Sequence, residues 1–186
     1  ILSAAFFSFL SLTAFAASNK IEYPEQNWSF SGLFGIFDKA SAQRGYQVYR
    51  EVCSGCHGMR LINYRNLSGL GYNANEIKAL AAEFEVQDGP NDEGEFFTRP
   101  GRPSDKFISP YPNKQAARAA NGGSYPPDLS LIVKARSNGA NYLHALLSGY
   151  TEPPKGLKVP DGMYYKSFYS GNLIAMPQPL YEDGIT

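Results

Sequence analysis

Apolar positions recur along this chain in short helical stripes, separated by turn-forming stretches. Asn73-Ala74-Asn75-Glu76 reads as a capping box, and Ile77, Leu80, Ala81 and Phe84 form the apolar stripe that follows it. Upstream, Asp38 reads as the N-cap of a helix that carries Ala40, Tyr46, Val48 and Tyr49 toward residue 53. Short helices are predicted over 114–120, ended by Asn121-Gly122-Gly123, and over 139–148. Tyr125-Pro126-Pro127-Asp128 predicts a turn, with Asp128 placed to cap a helix through Leu129, Ile132 and Val133. Residues 99–112 read as a Pro-broken loop, and the chain from residue 149 is rich in Pro, Gly and Tyr. No run reads convincingly as a strand, and there is no internal repeat. The expectation is a mainly α fold, a small helical domain with long loops and little or no sheet.

The ends of the chain differ from this pattern. Residues 1–17 carry no charge and are dominated by Phe, Leu and Ala, and Ala14-Phe15-Ala16 resembles a small-x-small cleavage site. With no basic segment or initiator Met ahead of it, 1–17 reads as a signal-peptide remnant with a truncated start, a transmembrane start being the alternative. Residues 18–37 form an arm rich in aromatics (Tyr23, Trp28, Phe30, Phe34, Phe37) expected to pack on the domain, which occupies 38–186.

Composition changes the picture in two ways. Seventeen Lys and Arg balance seventeen Asp and Glu, so there is no basic signature of nucleic-acid binding. Thirteen Tyr and twelve Phe in a loop-rich chain suit apolar walls around a large flat cofactor. Charge is uneven locally: residues 83–95 hold six acids and no base, which reads as a solvated acidic loop or a surface that steers a basic partner.

Candidate chemistry concentrates in Cys53-Ser54-Gly55-Cys56-His57, the pattern of covalent attachment of a c-type haem. The chain has two cysteines and two histidines, and three of these four residues lie in this segment. On one helical turn, positions i, i+3 and i+4 share a face, so two thiols would reach the haem vinyl carbons while the imidazole binds iron. A disulfide across two residues closes a loop too small to restrain the unfolded chain. A redox Cys-x-x-Cys pair expects a βαβ context that is missing here, and His57 directly after Cys56 is not usual zinc spacing. For the second axial ligand the candidates are His144, Met59, Met163 and Met176. Met59 is too near His57 to reach the opposite haem face, and His144 lies mid-helix. His144 and Met163 stay open as lesser candidates beside Met176, with the apolar lead-in and stiffening Pro177 modestly favouring Met176. Thioether ligation would close the iron and favour electron transfer.

Several separated segments together resemble the cytochrome c1 family, the haem c subunits of ubiquinol–cytochrome c reductase, the cytochrome bc1 complex. They are Arg44-Gly45-Tyr46-Gln47-Val48-Tyr49 before the haem motif, the stretch over 112–121, Pro126-Pro127-Asp128-Leu129-Ser130, Leu146-Leu147-Ser148-Gly149-Tyr150, and Ile174-Ala175-Met176-Pro177. The resemblance implies a cytochrome c-like helical haem domain, with Cys53 and Cys56 as thioether anchors and His57 and Met176 as the axial iron ligands. It also implies Arg118 beside a haem propionate, and Asn121, Tyr125, Pro126 and Pro127 lining the pocket. Ser137 and Lys166-Ser167-Phe168 depart from the family pattern, where His and Asn-Pro-Tyr are common. The implied role is an electron-carrier subunit, not catalytic alone, that takes an electron from the Rieske iron–sulfur protein and passes it to cytochrome c. Cytochrome b would be its neighbour and a C-terminal membrane anchor, expected to be missing here, its tether. Its place would be the periplasmic side of a bacterial inner membrane, or the intermembrane-space side in a mitochondrion.

Overall fold

The computed structural model describes residues 21–185, so the signal reading of 1–17 lies outside the described residues. Helix α1 spans Lys39–Glu51. It starts where expected, because the Asp38 carboxylate accepts hydrogen bonds from the Ala40 and Ser41 backbone amides at 3.1 and 3.2 Å. A 3-10 turn over Cys53–Gly55 follows, then a second 3-10 stretch over Tyr64–Leu70. Helix α2, Ala74–Ala82, opens on the predicted capping box: Asn73 accepts from the Asn75 and Glu76 amides, and Glu76 accepts from the Asn73 amide at 2.7 Å.

These elements converge on one core. Tyr46, Tyr64, Leu67, Ile77, Ala81 and Phe107 are buried together, and Met59 packs against them as a filling residue. Phe107 lies at the centre, its ring 4.8 Å from that of Tyr64 and 5.8 Å from that of Tyr46. Burying Leu67 and Ile77 contributes about 1.5–3 kcal/mol each.

The acidic stretch is not a plain loop. Strand β1, Glu85–Asp88, pairs antiparallel with β2, Phe97–Pro100, with Glu85 opposite Pro100. Half-buried Val86 and Asp88 alternate with exposed Glu85 and Gln87, a period-two pattern hidden in the sequence by the run of acids. Arg99 ties the hairpin down, binding Asp88 and, through two nitrogens, Asp105. Glu83 pairs with Arg50 at 3.2 Å. Glu85, Asp92, Glu93 and Glu95 remain exposed.

The second half packs more loosely. Helix α3 spans Lys114–Ala120, capped by Asn113, and Gly122 and Gly123 after it both take positive φ as the chain reverses. Helix α4 spans Gly139–Ser148, and the two-residue strands β3 (Tyr164–Tyr165) and β4 (Leu173–Ile174) pair antiparallel. The fold is mainly α with two small sheets, as expected. The helix expected after Asp128 is replaced by successive turns, with Ile132 N bonded to Leu129 O and Ala135 N to Leu131 O. Asp128 does accept from Ser130 N as a cap would, but its second oxygen accepts from the distant Arg60 N and Leu129 N bonds Gly58 O, which ties these turns to the cysteine segment. Only the first part of the arm packs on α4; Leu33, Phe34, Ile36 and Phe37 are exposed. Asn141 accepts from Gln26 N and the Trp28 indole, and Tyr23 meets Tyr142 edge-on.

Asn73→Ala should destabilise the protein by about 1 kcal/mol, read as a lower urea midpoint at unchanged slope. The Arg99 hydrogen bonds hold the Asp105 carboxyl below the ordinary carboxylate range. That stabilisation is complete above the unfolded value, about 3.9, and is lost as pH falls through the lower folded value. Asp105→Asn should therefore lower the melting temperature at pH 7 and flatten its fall below about pH 4 in a pH series of thermal melts.

Candidate haem-binding site

The cysteine motif occupies a single tight turn just past α1. Cys53 O accepts from both Cys56 N, at 3.1 Å, and His57 N, at 2.8 Å, and Ser54 Oγ bonds back to Arg50 O at 2.7 Å. The turn begins as 3-10 helix instead of continuing α1, yet it keeps Cys53, Cys56 and His57 at the i, i+3, i+4 spacing. Gly58 lets the chain leave closely against the next segment: a Cβ there would sit 2.8 Å from Ser109 Oγ.

His57 Nδ1 lies 2.8 Å from the carbonyl oxygen of Pro127. A carbonyl only accepts, so Nδ1 carries the hydrogen, and in the neutral imidazole Nε2 then keeps its lone pair. This is how proteins fix the tautomer and ring angle of a metal-binding imidazole. Tyr49 supports the same turn, its hydroxyl donating to His57 O at 3.3 Å. Burial, with Asp128 nearby adding to it, pushes the Tyr49 phenol up to about 12, so it stays a donor.

Both cysteines are free thiols, Cys53 half-buried and Cys56 exposed. Burial, with Cys56 beside it, pushes the Cys53 thiol up. A disulfide-exchange nucleophile needs the opposite shift. Among the described residues no three His, Cys, Asp or Glu side chains converge as a metal cluster, and His144 is an exposed residue of α4 whose ring meets Trp28 of the arm.

A cleft of about 270 Å³ opens beside Cys56, between the loop Ser109–Asn113, the start of α3 and Tyr125-Pro126. The Tyr111 hydroxyl lies 4.0 Å from Cys56 Sγ. The structure thus brings Cys56, Tyr125 and Pro126 to one wall, with Pro127 acting through its carbonyl. At this wall Lys114 Nζ and the Arg118 guanidinium lie 5.7 and 5.9 Å from the Tyr125 ring centre. Arg118 also donates to Gly123 O at 2.7 Å, but among the described residues neither cation forms an ion pair. Two unpaired cations at a flat cleft suit a ligand bearing carboxylates. Asn121 turns back instead, its amide donating to Ala117 O at the end of α3.

Met176 sits on a separate segment just after β4. The Tyr150 hydroxyl lies 2.9 Å from Met176 O and 3.1 Å from Pro177 O, so that loop is held by its backbone while the thioether stays half-buried. Met163 follows the turn in which its amide bonds Pro160 O. No hydrogen bond among the described residues joins either methionine to the Cys53–His57 turn. Sequence reasoning missed Tyr111, Lys114, Asp128 and Tyr150. Tyr150 and Asp128 lay inside recognised segments, but which backbone groups they hold depends on contacts far along the chain.

The donor set fits a c-type haem: two free thiols and an imidazole with a bare Nε2 on one turn, beside a cleft edged with aromatic rings and unpaired cations. Comparison with known proteins agrees. The profile of the cytochrome C1 family matches residues 28–186. The chain is 53% identical over 175 residues to a Solanum tuberosum protein named cytochrome c1-2, heme protein, mitochondrial, covering 91% of this chain and 67% of that one. It is 50% identical over 169 residues to the cytochrome b-c1 complex catalytic subunit, mitochondrial, of Candida albicans (90% and 59%). Against cytochrome c1 of Rhodospirillum rubrum it is 49% identical over 178 residues (87% and 65%). The chain spans about three fifths to two thirds of the length of these relatives. With the family profile running through nearly the whole described domain, this chain belongs to the cytochrome c1 family.

Proposed function

We propose that this chain is the electron-transfer subunit of a ubiquinol–cytochrome c reductase, carrying one covalently bound haem c. The observation that carries this reading is the hydrogen bond from His57 Nδ1 to Pro127 O, which leaves Nε2 bare beside two free thiols on one turn. The names of the relatives, heme proteins and a subunit of a cytochrome b-c1 complex, support it. When bound, the haem supplies a one-electron iron couple whose potential the axial ligands set.

The residues then divide the work. The thiols of Cys53 and Cys56 would hold the haem covalently as two thioethers. His57 Nε2 would hold the iron, with its ring oriented by Pro127. Met176 would supply a second, thioether ligand from a loop held by Tyr150. Arg118 would pair with a propionate, with Lys114 close by. No residue of the chain needs to transfer a proton. The Rieske iron–sulfur protein is the donor and cytochrome c the acceptor, next to cytochrome b, on the periplasmic or intermembrane-space side of the membrane. The exposed acids Asp92, Glu93 and Glu95 at the β1–β2 hairpin are a suitable steering surface for a basic acceptor.

Haem in the holoprotein should resist extraction by acid-acetone, and a Cys53→Ser, Cys56→Ser double variant should release it completely. Met176→Leu should abolish the sulfur-to-iron charge-transfer absorption and lower the midpoint potential, whereas Met163→Leu should leave both unchanged. The reverse result would move the ligand to Met163. Electron transfer to a basic cytochrome c should slow steeply with added salt. Reversing Glu93 and Glu95 to Lys should cut the low-salt stopped-flow rate by about tenfold and flatten the salt slope; an unchanged slope would remove the hairpin from the docking surface.

A further inference from the structure

Lys166 is fully buried, and among the described residues its Nζ has neither a hydrogen-bond acceptor nor a carboxylate partner. Burying an ammonium this way is costly, and such groups are normally paired. Its position is nevertheless fixed. The Lys166 backbone N donates to Asn172 O at 2.8 Å, Lys166 O accepts from the Asn172 side chain, and residue 166 bridges to Tyr150. Nζ stands 3.5 Å from the centre of the Tyr150 ring, a close cation–π contact. The hydroxyl of that same ring holds the carbonyls of Met176 and Pro177. The cation is therefore one aromatic ring and one hydrogen bond away from the methionine backbone.

We propose that Lys166 is a fixed buried cation in the wall that presents Met176, and that its charge raises the reduction potential of the haem iron. This rests on Met176 being the second iron ligand. Oxidation adds one positive charge at the iron. A neighbouring cation in a weakly screening interior disfavours that charge and so favours the reduced form. Burial lowers the Lys166 ammonium to about 8, while the face of the Tyr150 ring 3.5 Å away favours the charged form. The cost of holding it there is a loss of stability that packing alone would not call for, since an amide or an apolar chain would fill the space without it. Lys166 is in this account a potential-setting residue that touches neither iron nor substrate.

The test is an equilibrium redox titration of the haem-loaded full chain at pH 7, with the sulfur-to-iron charge-transfer absorption recorded on each oxidised sample. The variants are Lys166→Asn, which follows the family pattern, Lys166→Met, and the charge-keeping Lys166→Arg. The proposal expects both neutral variants to have a lower midpoint potential than the parent while keeping the charge-transfer absorption, and Lys166→Arg to stay near the parent. Either neutral variant that loads haem is sufficient. Equal potentials in parent and neutral variants would overturn it and leave Met176 ligation intact. Loss of the charge-transfer absorption in a neutral variant would also overturn it, making Lys166 a prop for the loop instead of a charge. Absence of that absorption in the parent would refute Met176 ligation itself, and the lysine proposal with it.

Discussion

The fold depends on a short zipper between the cysteine turn and the segment after Pro126. His57 Nδ1 bonds Pro127 O, Leu129 N bonds Gly58 O, Arg60 N bonds Asp128 Oδ2, and Leu61 N bonds Ser130 Oγ. These bonds join segments about seventy residues apart, pairing 57–61 with 127–130. Each contributes about 0.5–1.5 kcal/mol, or somewhat more where a carboxylate accepts. Their effect on geometry exceeds their energy. One member orients the imidazole and the other three fix the backbone that follows it, at residues 58, 60 and 61, so the ring cannot turn without loosening the junction between the two halves.

Those halves are unequal. The first has a conventional core, in which Phe107 contacts Tyr46, Tyr49 and Tyr64 and α2 lays Ile77 and Ala81 against it. The second fully buries little large apolar surface: Ala117, Tyr142 and Ala145 among hydrophobics, and Lys166. Leu143, Leu146, Leu147, Leu173, Ile174 and Met176 are only half-covered. On the haem reading this asymmetry has a physical sense. The first half positions the anchors by its own packing, while the second gains its apolar contacts from the cofactor.

What could be read from the sequence follows the same division between local and distant causes. The Asp38 cap, the Asn73–Glu76 box and α4 were legible because the residues that decide them lie within four positions of one another. The candidate at Cys53–His57 could be singled out because Cys-x-x-Cys-His is itself a local pattern. Failures came where a distant partner won. Asp128 caps Ser130 N as its type suggests, yet turns stand where a helix was expected, and its other oxygen and the Leu129 amide bond Arg60 and Gly58 about seventy residues away, contacts no local pattern reveals. In the acidic stretch, β1 was masked because its pairing partner β2 and the Arg99 clamp lie beyond the run of acids. The choice between Met163 and Met176 could not be made from neighbouring residues alone. Tyr150, twenty-six positions before Met176, is what distinguishes their settings.

On the proposed ligation, Tyr150 also gives the second half a way to hold Met176 in place without a large core. Its ring is sandwiched in function between a cation and a loop: Lys166 Nζ lies over its face and its hydroxyl reaches the carbonyls of residues 176 and 177. Burial pushes the Tyr150 phenol up to about 12, so the hydroxyl remains a donor at any physiological pH. A carbonyl-held loop followed by Pro177 leaves the Met176 side chain as its main free part, and a flexible thioether can then settle on a bond direction set elsewhere. The histidine side has the opposite design, a rigid ring whose tautomer is fixed by Pro127. If both residues hold the iron as proposed, a rigid donor on the turn that carries the thiols and an adjustable donor on the distant loop would let the first half define the geometry and the second adapt to it.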